Sequence, residues 1–147
     1  MNLPRYTYYS SKNFKDYRFI SEGPKGKIAK VVRFSEIDGW KNVYNLGFGD
    51  ENLETGAIDD ISITNNEDRD LVLSTVANTV IDFTYHYRHY QVYAEGSTPV
   101  RTRLYQIGIS GLLYEMSLYF EVYGLKDGDW HEFKKNVNYS AFLIKRI

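Results

Sequence analysis

Gly96-Ser97-Thr98-Pro99-Val100-Arg101-Thr102-Arg103 is the stretch with the strongest chemical potential in the chain. A glycine-containing loop that leaves a strand and opens a helix presents free backbone N–H groups. The helix dipole adds positive potential there, and hydroxyl and guanidinium groups add donors. That chemistry suits a phosphate or a carboxylate. Arg101 and Arg103 are two residues apart, so on a helix they diverge by about 200° and need help to face one ligand. The competing reading is purely structural: an N-cap with one arginine at the surface and one in an ion pair. Capping is the commoner use of these residue types, and no P-loop pattern accompanies them.

Three other clusters could carry chemistry. Gly23-Pro24-Lys25-Gly26-Lys27, with Lys30 and Arg33, is a basic turn flanked by Tyr17, Phe19 and Phe34 that could hold a nucleic-acid backbone. Lysines on an edge strand also guard against aggregation, and that reading is favoured. Asp50, Glu51, Glu54, Asp59, Asp60, Glu67, Asp68 and Asp70 form an acidic stretch. It is not an EF-hand, because the glycine falls at Gly56, one position late, and Ile61 stands where a bidentate glutamate is needed. His86-x-x-His89 has metal-capable spacing, but a third ligand cannot be named, and histidines near a helix C-terminus need no metal. No Ser/His/Asp signature is present, and nothing distinguishes Tyr105, Tyr114, Tyr123 or Tyr139 as acids. The sequence therefore points to no metal, no cofactor and no named catalytic residue.

The elements that must position these groups follow from length and patterning. With 147 residues, the whole chain, 1–147, reads as one domain with a real core. A net charge of −1 excludes a bulk polycation, so an anion site must be local. The absence of cysteine excludes disulfides, thiolate zinc sites and thiol catalysis. No apolar run is long enough to cross a membrane and the start lacks a signal-peptide core, which reads as a cytoplasmic protein. The 14 tyrosines suit half-buried strands, and equally a surface that stacks on a ligand or partner.

Strands are expected at 17–20, 27–34, 42–48 and 57–64, the first two as a hairpin with a four- or five-residue connection. Val72, Val76, Val80, Phe83 and Tyr87 recur at helical spacing and predict a helix over about 67–88. A short strand follows at 90–94. Ser97 or Thr98 as N-cap, with Pro99 as first helical residue, starts a second helix that Gly108 and Gly111 limit. A switch to strand is expected near Met116, then a turn at Lys126-Asp127-Gly128-Asp129, a short helix at 130–135 and a last strand at 139–145. The order β-β-β-β-α-β-α-β-β implies an α+β domain, a twisted, mostly antiparallel sheet with two main helices.

Phe19-x-Ser21-x-Gly23-Pro24-Lys25-Gly26-x-Ile28, Asn45-Leu46-Gly47-Phe48-Gly49-Asp50 and Gly96-Ser97-Thr98-x-x-Arg101-Thr102-Arg103-Leu104-Tyr105 resemble a family of small uncharacterised bacterial proteins. The resemblance spans nearly the whole chain and implies a single domain, without an activity. The strand-and-helix order, with Arg103-Leu104-Tyr105-Gln106-Ile107-Gly108-Ile109, is similar to the later part of the acetyl-CoA-dependent N-acetyltransferase fold. The glycines which that family places before the helix at 67 are replaced here by Asn65-Asn66-Glu67-Asp68.

The functional expectation is a non-enzymatic binding module for an anionic group of a nucleotide, a nucleic acid or an acidic protein partner. Gly96, Ser97, Thr98, Arg101 and Arg103 would hold the anion, and Lys25 and Lys27 would extend the patch. The rivals are an acetyl-CoA-dependent acyltransferase and a structural partner protein of a small operon. The sequence leaves the oligomeric state open.

Overall fold

A short N-terminal strand, Tyr9–Ser10 (β1), opens a sheet that the computed structural model describes through residues 3–59 and 65–147. Asp16–Gly23 (β2), Gly26–Glu36 (β3) and Val43–Glu51 (β4) form an antiparallel meander, and Ile58–Asp59 (β5) pairs with the end of β4. Helix Arg69–His86 (α1) leads into Gln91–Ala94 (β6), and helix Pro99–Ser117 (α2) into Phe120–Lys126 (β7). Asp129–Glu132 (β8) and Ala141–Arg146 (β9) complete the chain. The strand order is β1-β2-β3-β4-β6-β9-β7-β8, and β4 and β6 run parallel while the other pairs are antiparallel.

One face of this sheet is the core. Register places Tyr17, Phe19, Val32, Phe34, Leu46, Phe48, Val92, Phe142, Ile144 and Val122 on the same side, and all are buried. Both helices pack there: Val72, Val76, Val80 and Phe83 from α1, Tyr105, Ile109 and Met116 from α2. Phe83 stacks on Phe34 at 4.1 Å between centroids. Helix α1 is buried on more than its apolar stripe, because the N-terminal arm crosses it. Leu3 and Pro4 lie beside Leu71 and Ser74, Tyr6 N–H donates to Thr75 Oγ1 (2.9 Å), and Tyr8 packs edge-on against Tyr17. The buried threonines of α1 satisfy their hydroxyls on the helix itself, Thr75 to Leu71 O at 2.6 Å and Thr84 to Val80 O at 2.7 Å.

The α+β class, the mostly antiparallel sheet and the two main helices agree with the sequence reading, while several elements differ. Helix α2 runs to Ser117 rather than breaking at its glycines. A Cβ on Gly108 would meet Leu73 Cδ2 at 3.2 Å, so the small residue lets α1 and α2 approach, and packing outweighs its helix cost of about 1 kcal/mol. The expected helix at 130–135 is instead strand β8 over Asp129–Glu132. Asp127 and Gly128 both have positive φ, 53° and 81°, which makes a two-residue hairpin turn that hands the next residues to β7. The first hairpin is also tighter than expected, since Gly23 pairs with Gly26 across Pro24-Lys25. Strand β3 lies between β2 and β4, so its basic residues guard no edge. Most of the strand expected at 57–64 lies outside the described residues; Ile58–Asp59 is the part seen.

The Tyr8 hydroxyl donates to Asp82 Oδ2 (3.2 Å), and burial first, then the Asp82 charge, pushes its pKa up to about 12. Burial moves Tyr17 in the same direction. A raised folded-state value means that the unfolded chain loses its proton first. The stabilisation is therefore complete below the unfolded value of about pH 10 and disappears as pH climbs through the folded one. Urea midpoints should fall between about pH 9.5 and pH 11.5, and Tyr8→Phe should flatten that fall.

Candidate functional site

Pairing between β4 and β6 covers only Val43↔Gln91, Tyr44↔Val92 and Asn45↔Tyr93. Strand β3 continues along the other edge of β4 as far as Asp50, and β5 joins the β6 side at Asp50 and Glu51. Among the described residues, no strand pairs with Leu46–Gly49 on that edge. The Arg101 guanidinium donates from Nη2 to the Phe48 carbonyl and lies 5.5 Å from the centre of the Phe48 ring.

The chain is brought to that point by the loop after β6. Thr98, extended at φ −135°, is the N-cap, and its side chain accepts from Arg101 N at 3.2 Å. Pro99 is the first helical residue. Gly96 N–H donates to Thr102 Oγ1 (3.0 Å), and a Cβ on Gly96 would collide with the Thr102 amide and the Arg101 side chain. Glycine is needed for that close approach. With one turn of helix fixed in this way, Arg101 points inward, 5% exposed, while Arg103 is exposed.

Arg101 opens on a cavity of about 620 Å³ shared with Lys30, Phe48, Asn66 and the first turn of α1. Among the described residues no carboxylate lies within ion-pair distance of Arg101. Lys30, 6% exposed, is in an ion pair with Asp50. Helix α1 starts from Asp68 without a side-chain cap, so among the described residues its first N–H groups border the same cavity uncapped. The Asp68 carboxylate instead accepts from Tyr6 OH (2.6 Å) and Ser21 Oγ (2.5 Å). Asn66, 2% exposed, holds the β2–β3 turn against this helix start. Its amide donates to Ser21 Oγ (3.1 Å) and Gly26 O (3.0 Å), and its Oδ1 accepts from Lys25 N (2.7 Å). Gly23 carries no side chain where the Asn66 backbone passes. Glu67, Asp68 and Asp70 also line the cavity, so its field is mixed rather than purely positive.

The residues singled out in the sequence are thus divided. Arg101 belongs to this cavity. Gly96, Ser97, Thr98 and Arg103 border a second one of about 470 Å³, with Gln106 and Tyr139 opposite. Arg103 has no hydrogen bond or ion pair among the described residues, and the two arginines diverge as helical spacing requires. Lys25 and Lys27 are exposed on the turn beside Asn66, and Lys27 lies 4.0 Å from Glu22. His86 stacks on Phe14 at 3.6 Å and meets Asp82, and among the described residues no group of three metal-binding side chains gathers.

Sequence reasoning grouped Lys30 with the basic β2–β3 turn rather than with this cavity, and did not single out Asn66 as a site residue. Lys30 had left a signal: it interrupts the alternation Ile28, Val32, Phe34 on the inward face, where a charge demands a buried partner. Replacing Arg101 by Met should leave the Phe48 carbonyl without its donor and cost about 1–3 kcal/mol, measured by urea denaturation. Arg103→Met should stay within about 0.5 kcal/mol, as an exposed position does.

The chain belongs to the family of unknown function DUF6934, which matches residues 2–147. No curated protein and no solved structure matches it significantly, and the resemblance to acetyltransferases gains no support from these comparisons. Among the described residues no helix is long and apolar enough to cross a membrane, which leaves β-barrels unaddressed.

Proposed function

We propose that this family member is a binding module for a small anionic group, and that Arg101 is its anchor. One observation carries the reading: a guanidinium 95% buried, satisfied on a single carbonyl and one ring face, without a carboxylate partner among the described residues. A buried charge without a counter-ion is costly. An anion in the adjoining cavity would meet the remaining guanidinium donors and the uncapped first turn of α1 together. The neighbouring carboxylates Glu67, Asp68 and Asp70 favour a ligand carrying one compact charge over a polyanion. That argues for a nucleotide or an acidic side chain of a protein partner rather than a nucleic-acid backbone. Arg103, with Ser97 and Thr98, lies across the helix start from the anchor and would hold a second charge of a longer ligand. Lys25 and Lys27 would raise the local potential from the turn. No catalytic step is part of this reading.

The test is a thermal-shift panel of inorganic phosphate, AMP, acetyl-CoA and a single-stranded RNA oligomer. Acetyl-CoA is included because ligands of open sheets bind beyond the carboxyl ends of parallel strands, where β4 and β6 part. A ligand at 100 times its dissociation constant should add about 2.7 kcal/mol. Phosphate or AMP should stabilise the protein, Arg101→Lys should abolish the effect, and Arg103→Ala should weaken it. Stabilisation by acetyl-CoA alone would favour the acyltransferase reading. No shift with any of the four contradicts both.

A further inference from the structure

The sheet has a second face, opposite both helices and independent of the Arg101 cavity. Register puts Asn45, Tyr93, Leu143, Tyr123 and Glu132 in one row across β4, β6, β9, β7 and β8. Leu125 and Trp130 stand opposite each other in the next row. Trp40, from the β3–β4 connection, meets the Tyr93 ring at 5.1 Å and 78°, and Trp130 meets the same ring at 6.1 Å and 84°. The two indoles remain 46% and 39% exposed. Three aromatic residues from distant parts of the chain therefore join into a ladder on a face that neither helix covers.

Carboxylates border this ladder. Glu95 accepts from Tyr93 OH at 2.9 Å, and Glu121 from Tyr123 OH at 2.8 Å, so each is fixed on the face with acceptor capacity to spare. Glu132 stands beside Tyr123 in register, and its carboxylate has no partner among the described residues. Lys145, opposite Glu121, is the cation in these rows. A polyanion would be repelled here. A purely apolar partner would bury carboxylates without counter-charges, which is unfavourable. A guanidinium satisfies both features, because it stacks on an aromatic face and forks onto a carboxylate.

We propose that this aromatic and acidic sheet face docks an arginine-bearing basic segment of a protein partner. Arginine planes lie on Trp40 and Trp130, and Glu95, Glu121 and Glu132 take their N–H groups. The interaction is weakened by salt because the carboxylates are exposed.

Both tryptophans of the chain lie on this face, so intrinsic tryptophan fluorescence reports on it alone. The full chain is titrated with an octa-arginine peptide, with octa-glutamate and oligo-dT as controls. A saturable change with octa-arginine alone is expected. Glu95→Gln/Glu132→Gln should weaken it by about tenfold, and Trp130→Leu, read through Trp40, by a similar factor. Arg101→Lys should leave it unchanged, which separates this surface from the anion site. The proposal is overturned by an unchanged spectrum at millimolar octa-arginine, by equal binding of oligo-dT, or by Trp130→Leu binding as the wild type does. A change that follows protein concentration alone, with a dimer in sedimentation, makes the occupant a second copy and overturns it as well.

Discussion

The contact of the buried Arg101 with Phe48 governs this molecule. Among the described residues, the β4–β6 pairing ends at Asn45 and Tyr93, and the Phe48 carbonyl lies beyond that end. A cation from the next helix meets it there, Arg101 on the Phe48 carbonyl and ring. That contact dictates the geometry around it. The helix must begin close to Phe48, so the loop after β6 is short, capped by Thr98 and opened by Pro99. Gly96 must lie against the helix it precedes. The solution satisfies the carbonyl and brings a charge into the interior, which gives the cavity its chemical character.

A polar network on the other wall keeps that cavity open at the start of α1. Asp68 would ordinarily cap the helix, but its carboxylate is drawn to Tyr6 and Ser21. Asn66 spends its amide on the hairpin turn. Among the described residues, no side chain caps the first-turn N–H groups. The N-terminal arm takes part through Tyr6 on Asp68, so residues before the sheet help to shape the site, while Tyr8 on Asp82 fastens the arm nearer the other end of α1. The two faces of the sheet then carry different chemistry: one holds the core, the helices and the buried cations, the other the tryptophans and exposed carboxylates.

The parts of the fold that could be read from the sequence were those governed by local physics. Val72, Val76, Val80 and Phe83 announce α1 by their spacing, and Thr98-Pro99 announces the start of α2 by capping chemistry. The end of α2 was hidden, because what tolerates Gly108 is Leu73 of the other helix, a contact remote in sequence. Strand β8 was hidden for a related reason. Asp127-Gly128 marks a turn, but only pairing with β7 decides that Trp130 continues as strand. At the site, the residue types were visible and their grouping was not. That Arg101 and Arg103 diverge was legible in their spacing; that each borders a separate cavity was not, nor that Lys30 joins Arg101 from a strand far earlier in the chain. The tyrosine surplus is explained in both of the ways composition allows, since Tyr17 and Tyr44 pack the core while Tyr93 and Tyr123 lie on the open face.

The central claim is that the Arg101 guanidinium retains free donors facing a cavity that receives an anion. Nitrogen-detected NMR of the arginine side chains, assigned through Arg101→Lys, observes those donors directly. On titration with inorganic phosphate, the Arg101 Nε and Nη signals should shift and saturate while those of Arg18 and Arg33, already ion-paired to Glu51 and Asp16, stay in place. An Arg101 signal unmoved at saturating phosphate and AMP would show that the side chain serves the Phe48 carbonyl alone.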